Sequence, residues 1–438
     1  MLFRSYLGSG NTPAGVYTSV IDKVRSADAA ALITIPMIGY VSADKAGTDV
    51  RDTPDYLNVR FHVSHAAKGS GFVFPPDTAD DDVYQDEAVH YLFQQYPDLV
   101  TSPTKKIFFD LDNEPDLWSS THEAIHPADA DPDELIAKSA AYAAAIKDVI
   151  PGAETFGFVS YGFNGLYNLQ NAYTGSGTYT AYYLAGMQNA SAVYGSRLLD
   201  VLDLHWYSEA QAGSTRITDI SNATTETQRQ AIVQAPRSLW DPTYSESSWI
   251  TQYVYPEIKL IPRVKAWIAA GYPGTRISIS EYNHGGTLCI AGGIAQADTL
   301  GIFGREGVYA ACFWELTGSE DYLYGGFKVF RNYDGSNSAF GDTGLAAVTD
   351  DYAKTSVYAS RRGDDNGTMI LVAINKENAS NTADIQLTNH PVVFGTANVY
   401  LLDDSGSDPH FDRTISVAGN NLMFVMPAYS VSVVVLTP

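Results

Sequence analysis

The chain has 438 residues, 45% of them hydrophobic, and a formal net charge of −23. That length supports a large core plus a second domain, while the charge would repel nucleic acid and anionic membrane at long range and leaves a neutral polymer such as a polysaccharide as a compatible partner. No apolar run approaches the about 18 residues that would suggest a membrane span, and two cysteines, Cys289 and Cys312, cannot form a disulfide framework; both read as buried thiols.

The opening MLFRSYLGSG has one basic residue and no apolar stretch, so it does not read as a signal peptide. Residues 1–30 otherwise offer loop and one short amphipathic helix through Val20, Ile21 and Val24. From there strand-like and helix-like segments alternate, the pattern of parallel strands joined by helical crossovers. Strands are predicted at residues 31–39, 107–112, 154–159, 200–206, 277–281 and 308–315. A closed barrel of this type needs eight, so about two are missing. The clearest helix covers residues 132–149, with Asp131 as N-cap, Pro132 at the first helical position, and Leu135, Ser139, Tyr142, Ile146 and Val149 along one stripe. Another is predicted from Pro256 to Gly271, kinked at Pro262. From about residue 345 the period becomes alternating, with short runs at 369–374, 383–387, 397–402, 422–426 and 430–436 separated by turn residues, as in an antiparallel β-sandwich. The expected fold class is α/β: a (β/α)8-type TIM barrel over residues 1–344, incomplete at its start, then a β-sandwich over residues 345–438.

Two of the predicted strands end in a glutamate. Ile107, Phe108, Phe109 and Leu111 stop abruptly at Asn113-Glu114-Pro115, and Ile277 and Ile279 lead to Glu281-Tyr282-Asn283 before Gly285-Gly286. In a parallel barrel the strand ends face one cleft, where catalytic groups collect. Two glutamates so placed suit a retaining glycosidase, one as acid/base and one as nucleophile, about 5–5.5 Å apart. Asn113, His205, Tyr207 and Asn283 are candidate donors around them, and each could equally tie loops together. The chain is rich in rings, which either fill the core or stack on sugars; Trp118, Trp206, Trp240 and Trp314 are candidates for the cleft floor, Trp314 as the platform beneath the cleaved sugar. Arg237 and Asp241 beside Trp240 could bind sugar hydroxyls or pair with each other. The acidic patch at Asp77, Asp80, Asp81 and Asp82 is either a calcium site, with Asp80 and Asp82 as ligands, or a solvated loop. His122 and His126 have an i, i+4 spacing that suits zinc on a helix, but Pro127 and the absence of an HExxH pattern weaken that reading.

Several longer stretches carry a resemblance. DNEPDLWSSTHEAIHP (112–127), YGFNGLYNLQNA (161–172), LDLHWYSEA (202–210), APRSLWDPTY (235–244), SEYNHGG (280–286) and GGIAQADTLGIFGREGVYA (292–310), in this order, resemble glycoside hydrolase family 44, the endoglucanases and xyloglucanases. The likeness is dense from residue 31 to about 330 and looser beyond. It implies a secreted, retaining endo-β-1,4-glucanase acting on cellulose- or xyloglucan-type polysaccharide, with Glu114 as acid/base and Glu281 as nucleophile. It also makes a structural calcium reasonable, while catalysis needs no cofactor; a monomer without nucleic-acid or membrane partners is expected. The family pattern has two further barrel strands, a cleft-lining stretch rich in glycine and asparagine, and a strand of the β-sandwich before the segment matching residues 31–39. The chain therefore reads as truncated at its start, with an open gap between the strands at 31–39 and 308–315. A non-catalytic glycan-binding remnant, and a xylanase or mannanase on a similar barrel, remain alternatives.

Overall fold

The structure, a computed structural model, describes residues 14–76, 81–102, 106–314, 316–363, 367–389 and 392–437. Contacts divide the chain into two units that interleave along the sequence: one holds the residues up to Trp206 with Val264–Glu281 and Tyr309–Cys312, the other Tyr207–Arg263, Tyr282–Val308 and the residues from Phe313 onward.

The first unit is organised by the expected parallel sheet. Its six strands, β1 (Ala31–Ile35), β2 (Ile107–Leu111), β3 (Thr155–Ser160), β4 (Val201–Tyr207), β5 (Arg276–Asn283) and β6 (Ala310–Phe313), lie side by side in sequence order. The register sets Ile33 opposite Phe109 and Thr34 opposite Asp110. Every residue of β3, and all of β4 but Tyr207, is buried, which explains why these strands read as apolar runs rather than alternating ones. The strands β1 and β6 end the order, and among the described residues no strand pairs with their outer edges. This open, six-stranded part of a barrel agrees with the expected architecture. Cys312, expected to be buried, is exposed on the terminal strand β6, where only one neighbour can cover it.

Helix α1 (Gly15–Ser26) buries Ile21, as its short amphipathic pattern requires. Helix α2 (Pro132–Val149) has the predicted bounds, and the Asp131 side chain accepts the N–H groups of Asp133 and Glu134. That cap satisfies donors the helix cannot satisfy itself. It packs on β2, β3 and helix α3 (Tyr179–Tyr194). The helix expected from Pro256 instead starts later, as α4 (Leu260–Gly271). Pro262 then falls in its first turn, where the missing N–H costs no hydrogen bond, and the expected kink loses its cause. A small side sheet of Tyr40–Ser42, Phe61–His65 and Val83–Tyr84 was not foreseen; its strands are too short to show a period.

The second unit contains the antiparallel strands β7 (Thr343–Leu345), β8 (Thr355–Arg361), β9 (Met369–Asn375), β10 (Asn381–Gln386), β11 (Thr396–Asp403), β12 (Gly406–Ser416), β13 (Asn421–Met426) and β14 (Ser430–Thr437). One sheet has the order β7-β8-β9-β14-β11-β12, and β10-β13 form a separate pair. Leu371, Val399 and Val434 of the larger sheet share a core with Ala383, Leu422 and Phe424 of the smaller one. The other face of the larger sheet meets helices α5 (Ile290–Glu306) and α6 (Asp321–Arg331), so β9 is buried at every position. Asp298 of α5 receives the Lys376 ammonium at 2.7 Å and the Tyr358 hydroxyl at 2.6 Å, a fully buried pair with its charges matched.

Candidate active site

After β2 the backbone turns sharply. Asp112 (φ 70°) and Glu114 (φ 49°) both adopt the left-handed conformation, which costs a non-glycine residue about 1–3 kcal/mol and persists only where the surroundings impose it. They do so here: the Met37 and Asn113 N–H groups donate to the Asp112 carboxylate at 2.6 and 2.8 Å, and the Glu114 N–H donates to the Val159 carbonyl of β3 at 3.0 Å. Pro115 then opens the short 3-10 turn Pro115–Leu117. Backbone geometry therefore aims Glu114, while β4 supplies His205 and β5 supplies Glu281.

These three side chains converge. His205 Nδ1 donates to Glu114 Oε1 at 2.8 Å and stands 3.5 Å from Glu281 Oε2. One carboxylate oxygen of each glutamate and an imidazole nitrogen lie within 4.8 Å of one another. The His205 side chain is 1% exposed, whereas Glu114 and Glu281 keep 20% and 16% of theirs. Burial pushes the His205 imidazole down, but its bond to Glu114 and the charges of Glu281, Glu114 and Asp203 outweigh this, and the net direction is up. An imidazolium is thus favoured between two carboxyl groups. Two residues beyond Glu114, Asp116 accepts the Tyr161 N–H at 3.1 Å, and burial together with the Glu114 charge pushes its carboxyl up to about 7. Two carboxyl groups within 3.5 Å of one imidazole are the elements of acid/base and nucleophilic chemistry. Beside Asp112 opens a cleft of ≈ 840 Å³, lined among others by Thr34, Tyr40, Arg51, Phe61 and Ile125. No motif or periodicity pointed to Tyr40, Arg51 or Phe61, which lie in and between the short side strands.

The sequence profile of glycoside hydrolase family 44 matches residues 9–210. Endoglucanase A of Paenibacillus lautus is 40% identical over 436 residues, covering 97% of this chain, which in turn spans 61% of that protein's length. Among solved structures, the family 44 endoglucanase Cel44A of Clostridium thermocellum is 39% identical, with a TM-score of 0.91 and coverage of 97% of this chain and 85% of its own. A Paenibacillus polymyxa xyloglucanase of the same family, solved with xyloglucan, is 36% identical, with a TM-score of 0.92 and coverage of 98% and 84%. The chain belongs to glycoside hydrolase family 44.

The remaining candidates of this family 44 chain are placed differently from Glu114 and Glu281. Trp118 and Trp206 are each 1% exposed, and Trp118 lies beneath the Lys138 ammonium and beside the His126 ring. Both fill the core and neither floors a cleft. Asn113 is half-buried next to Glu114. In the second unit, Asn283 donates to the Trp314 carbonyl at 2.9 Å and accepts the Gly285 N–H at 2.7 Å, so its side chain ties a turn together. The Trp314 ring is 37% exposed. Arg237 pairs with Asp241 at 2.8 Å, and both are buried. Trp240 carries the Arg305 guanidinium on its ring at 3.7 Å and meets Tyr352 edge-on, so it is committed to packing. The Tyr207 carbonyl accepts from Arg216 at 2.9 Å. Of the acidic patch, Asp77 and Asp80 lie outside the described residues, and Asp82 pairs with His65 at 3.0 Å. His126 faces Glu134 at 3.4 Å, and His122 contacts Thr121. Among the described residues no helix is long and apolar enough to cross a membrane.

Proposed function

We propose that this chain is a retaining endo-β-1,4-glucanase acting outside the cell on cellulose- or xyloglucan-type polysaccharide. The observation that carries the reading is the approach of a Glu114 oxygen and a Glu281 oxygen to within 4.8 Å of each other. An inverting enzyme leaves room for a water, with carboxyl groups about 6.5–9.5 Å apart; direct attack needs them closer. Glu281 attacks the anomeric carbon while Glu114 protonates the departing glycosidic oxygen, giving a glycosyl ester on Glu281. Glu114, now a carboxylate, takes a proton from water as the water's oxygen displaces Glu281 and restores the starting state. The names of the relatives, endoglucanase and xyloglucanase, support the substrate class.

The test is chemical rescue. Glu281→Ala should abolish hydrolysis of soluble glucan, and added azide should restore turnover as an inverted glycosyl azide, because the small anion enters from the face the carboxylate vacated. Glu114→Ala should spare substrates whose leaving groups need no protonation. Equal loss on every substrate, without azide product, would overturn both assignments; glucan binding by the parent chain without any turnover would favour the glycan-binding reading instead.

A further inference from the structure

One buried acid beneath the glutamates has no part in that reaction scheme. Asp203 lies on β4 two residues before His205, on the same side of the strand, and is 0% exposed. Its Oδ1 accepts two backbone N–H groups, that of Leu204 at 2.9 Å and that of Ser280 at 3.1 Å. The second of these crosses from β4 to β5 and grips the residue immediately before Glu281. One carboxylate thus fixes the backbone beside both the imidazole and the attacking glutamate.

Its electrostatic surroundings point the same way. The groups that face it are His205 on its own strand, Ser278 and Ser280 on β5, Asp110 on β2 and Cys312 on β6, with Glu281 above them. Burial pushes the Asp203 carboxyl up, and the charge of His205, the hydroxyls of Ser280 and Ser278 and the Ser280 N–H offset only part of this, so the net direction is up. Asp110 has no such support: burial and the charges of Asp203, Asp112 and Glu281 push it well above the usual carboxylate range. Two neighbouring carboxyls in a dry interior do not both ionise, and of the two Asp203 is the one whose partners favour the charged form.

We propose that Asp203 is a positioning residue for the reaction of Glu114 and Glu281, serving as the fixed counter-ion that keeps the His205 imidazole charged and in place throughout the cycle. This rests on the retaining reading above. In that cycle the negative charge starts on Glu281, is lost there when the glycosyl ester forms, and appears on Glu114 as it gives up its proton. The imidazolium therefore sees a mobile charge that changes sides at mid-reaction. Asp203 takes no part in the transfer and supplies a constant anion on the strand that carries the ring; Asp116, after β2, also faces the imidazole electrostatically. A buried cation left without it would be strongly disfavoured.

The experiment combines an NMR titration of the His205 ring with pH profiles of kcat and KM, in the parent chain and in Asp203→Asn, which keeps shape and the Oδ1 acceptor but removes charge. In the variant the His205 midpoint should fall by about one pH unit or more. The kcat at neutral pH should drop by about 10²-fold, the scale of a small misplacement of reacting groups, with KM little changed and the alkaline limb moved to lower pH. An unmoved His205 midpoint, or a loss of activity uniform across pH, would overturn the proposal. If the variant does not fold, a titration with both glutamates neutralised (Glu114→Gln with Glu281→Gln) decides: a His205 midpoint below the ordinary value of about 6.5 overturns the proposal and one above supports it. The titration needs no turnover, so a parent chain inactive on glucans would sink the enzymatic reading while the charge state of His205 is still measured.

Discussion

At the scale of single residues, burial decides which charges this protein tolerates. Glu246 is 4% exposed; its Oε2 accepts the Ser238 hydroxyl at 2.6 Å, and burial pushes its carboxyl up to about 7. Because the folded state holds this proton more tightly than the unfolded chain, the associated stability is fully present below about pH 4.5 and is lost as pH rises through 7. Glu246→Gln should therefore match the parent in acid and exceed it by about 3 kcal/mol at pH 8, read from urea denaturation at both pH values; equal stability at pH 8 would refute the buried-acid account. His284 acts with the opposite sign. Burial pushes it down to about 4, so folding loses stability as pH falls from about 6.5 toward that value, in parent and variant alike. Glu114 and Glu281 were legible in the sequence because each follows an apolar strand pattern toward its C-terminal end, although β5 runs on past Glu281 to Asn283. Trp118 and Trp206 were not: a tryptophan's exposure depends on what covers it, and Lys138 lies twenty residues beyond Trp118, on another element.

At the scale of elements, the loop after β3 is fitted closely to the turn that carries Glu114. Gly165, in the short helix Phe163–Asn168, leaves no space for a side chain: an added Cβ would meet Asp116 Oδ2 at 1.8 Å and Ser160 Oγ at 2.4 Å. Gly165→Ala should cost about 1–3 kcal/mol, as overpacking does. It should also lower kcat, because the displaced Asp116 lies two residues from Glu114. Gly152→Ala, which meets nothing within 4 Å, is the control; thermal midpoints and kcat that fall equally in both variants would count against this fit. Elements with strong local chemistry were read correctly, above all α2 with its Asp131 cap. Strand β12 escaped notice because Gly406–Ser416 is a polar, largely exposed edge strand whose partner, β11, supplies the reason it is extended. The helix α4 was begun too early because Pro256 and Pro262 are both compatible with a helix start, and only packing chooses between them.

For the whole molecule, the unpaired outer edges of β1 and β6 set a gradient of protection across the parallel sheet. Local opening is easiest where backbone bonds have the least cover. Amide hydrogen exchange should be fastest in Ala310–Phe313 and slowest in Thr155–Ser160 and Val201–Tyr207, where burial is nearly complete; uniform protection across the six strands would contradict this. The α/β class and all six strands of this sheet could be read from hydrophobic pattern, as could most of the antiparallel strands. The interleaving of the two units could not, because it depends on contacts between segments far apart in the chain.

The proposed chemistry draws its side chains from β2, β4 and β5, all inside the sheet, and none from the marginal strands β1 and β6. Sequence drift at the margins could alter the surface beside the sheet while leaving the proposed bond-breaking side chains untouched. On the proposed reading, changes in the margins and changes in the reacting side chains are thus exposed to selection on separate stretches of one gene.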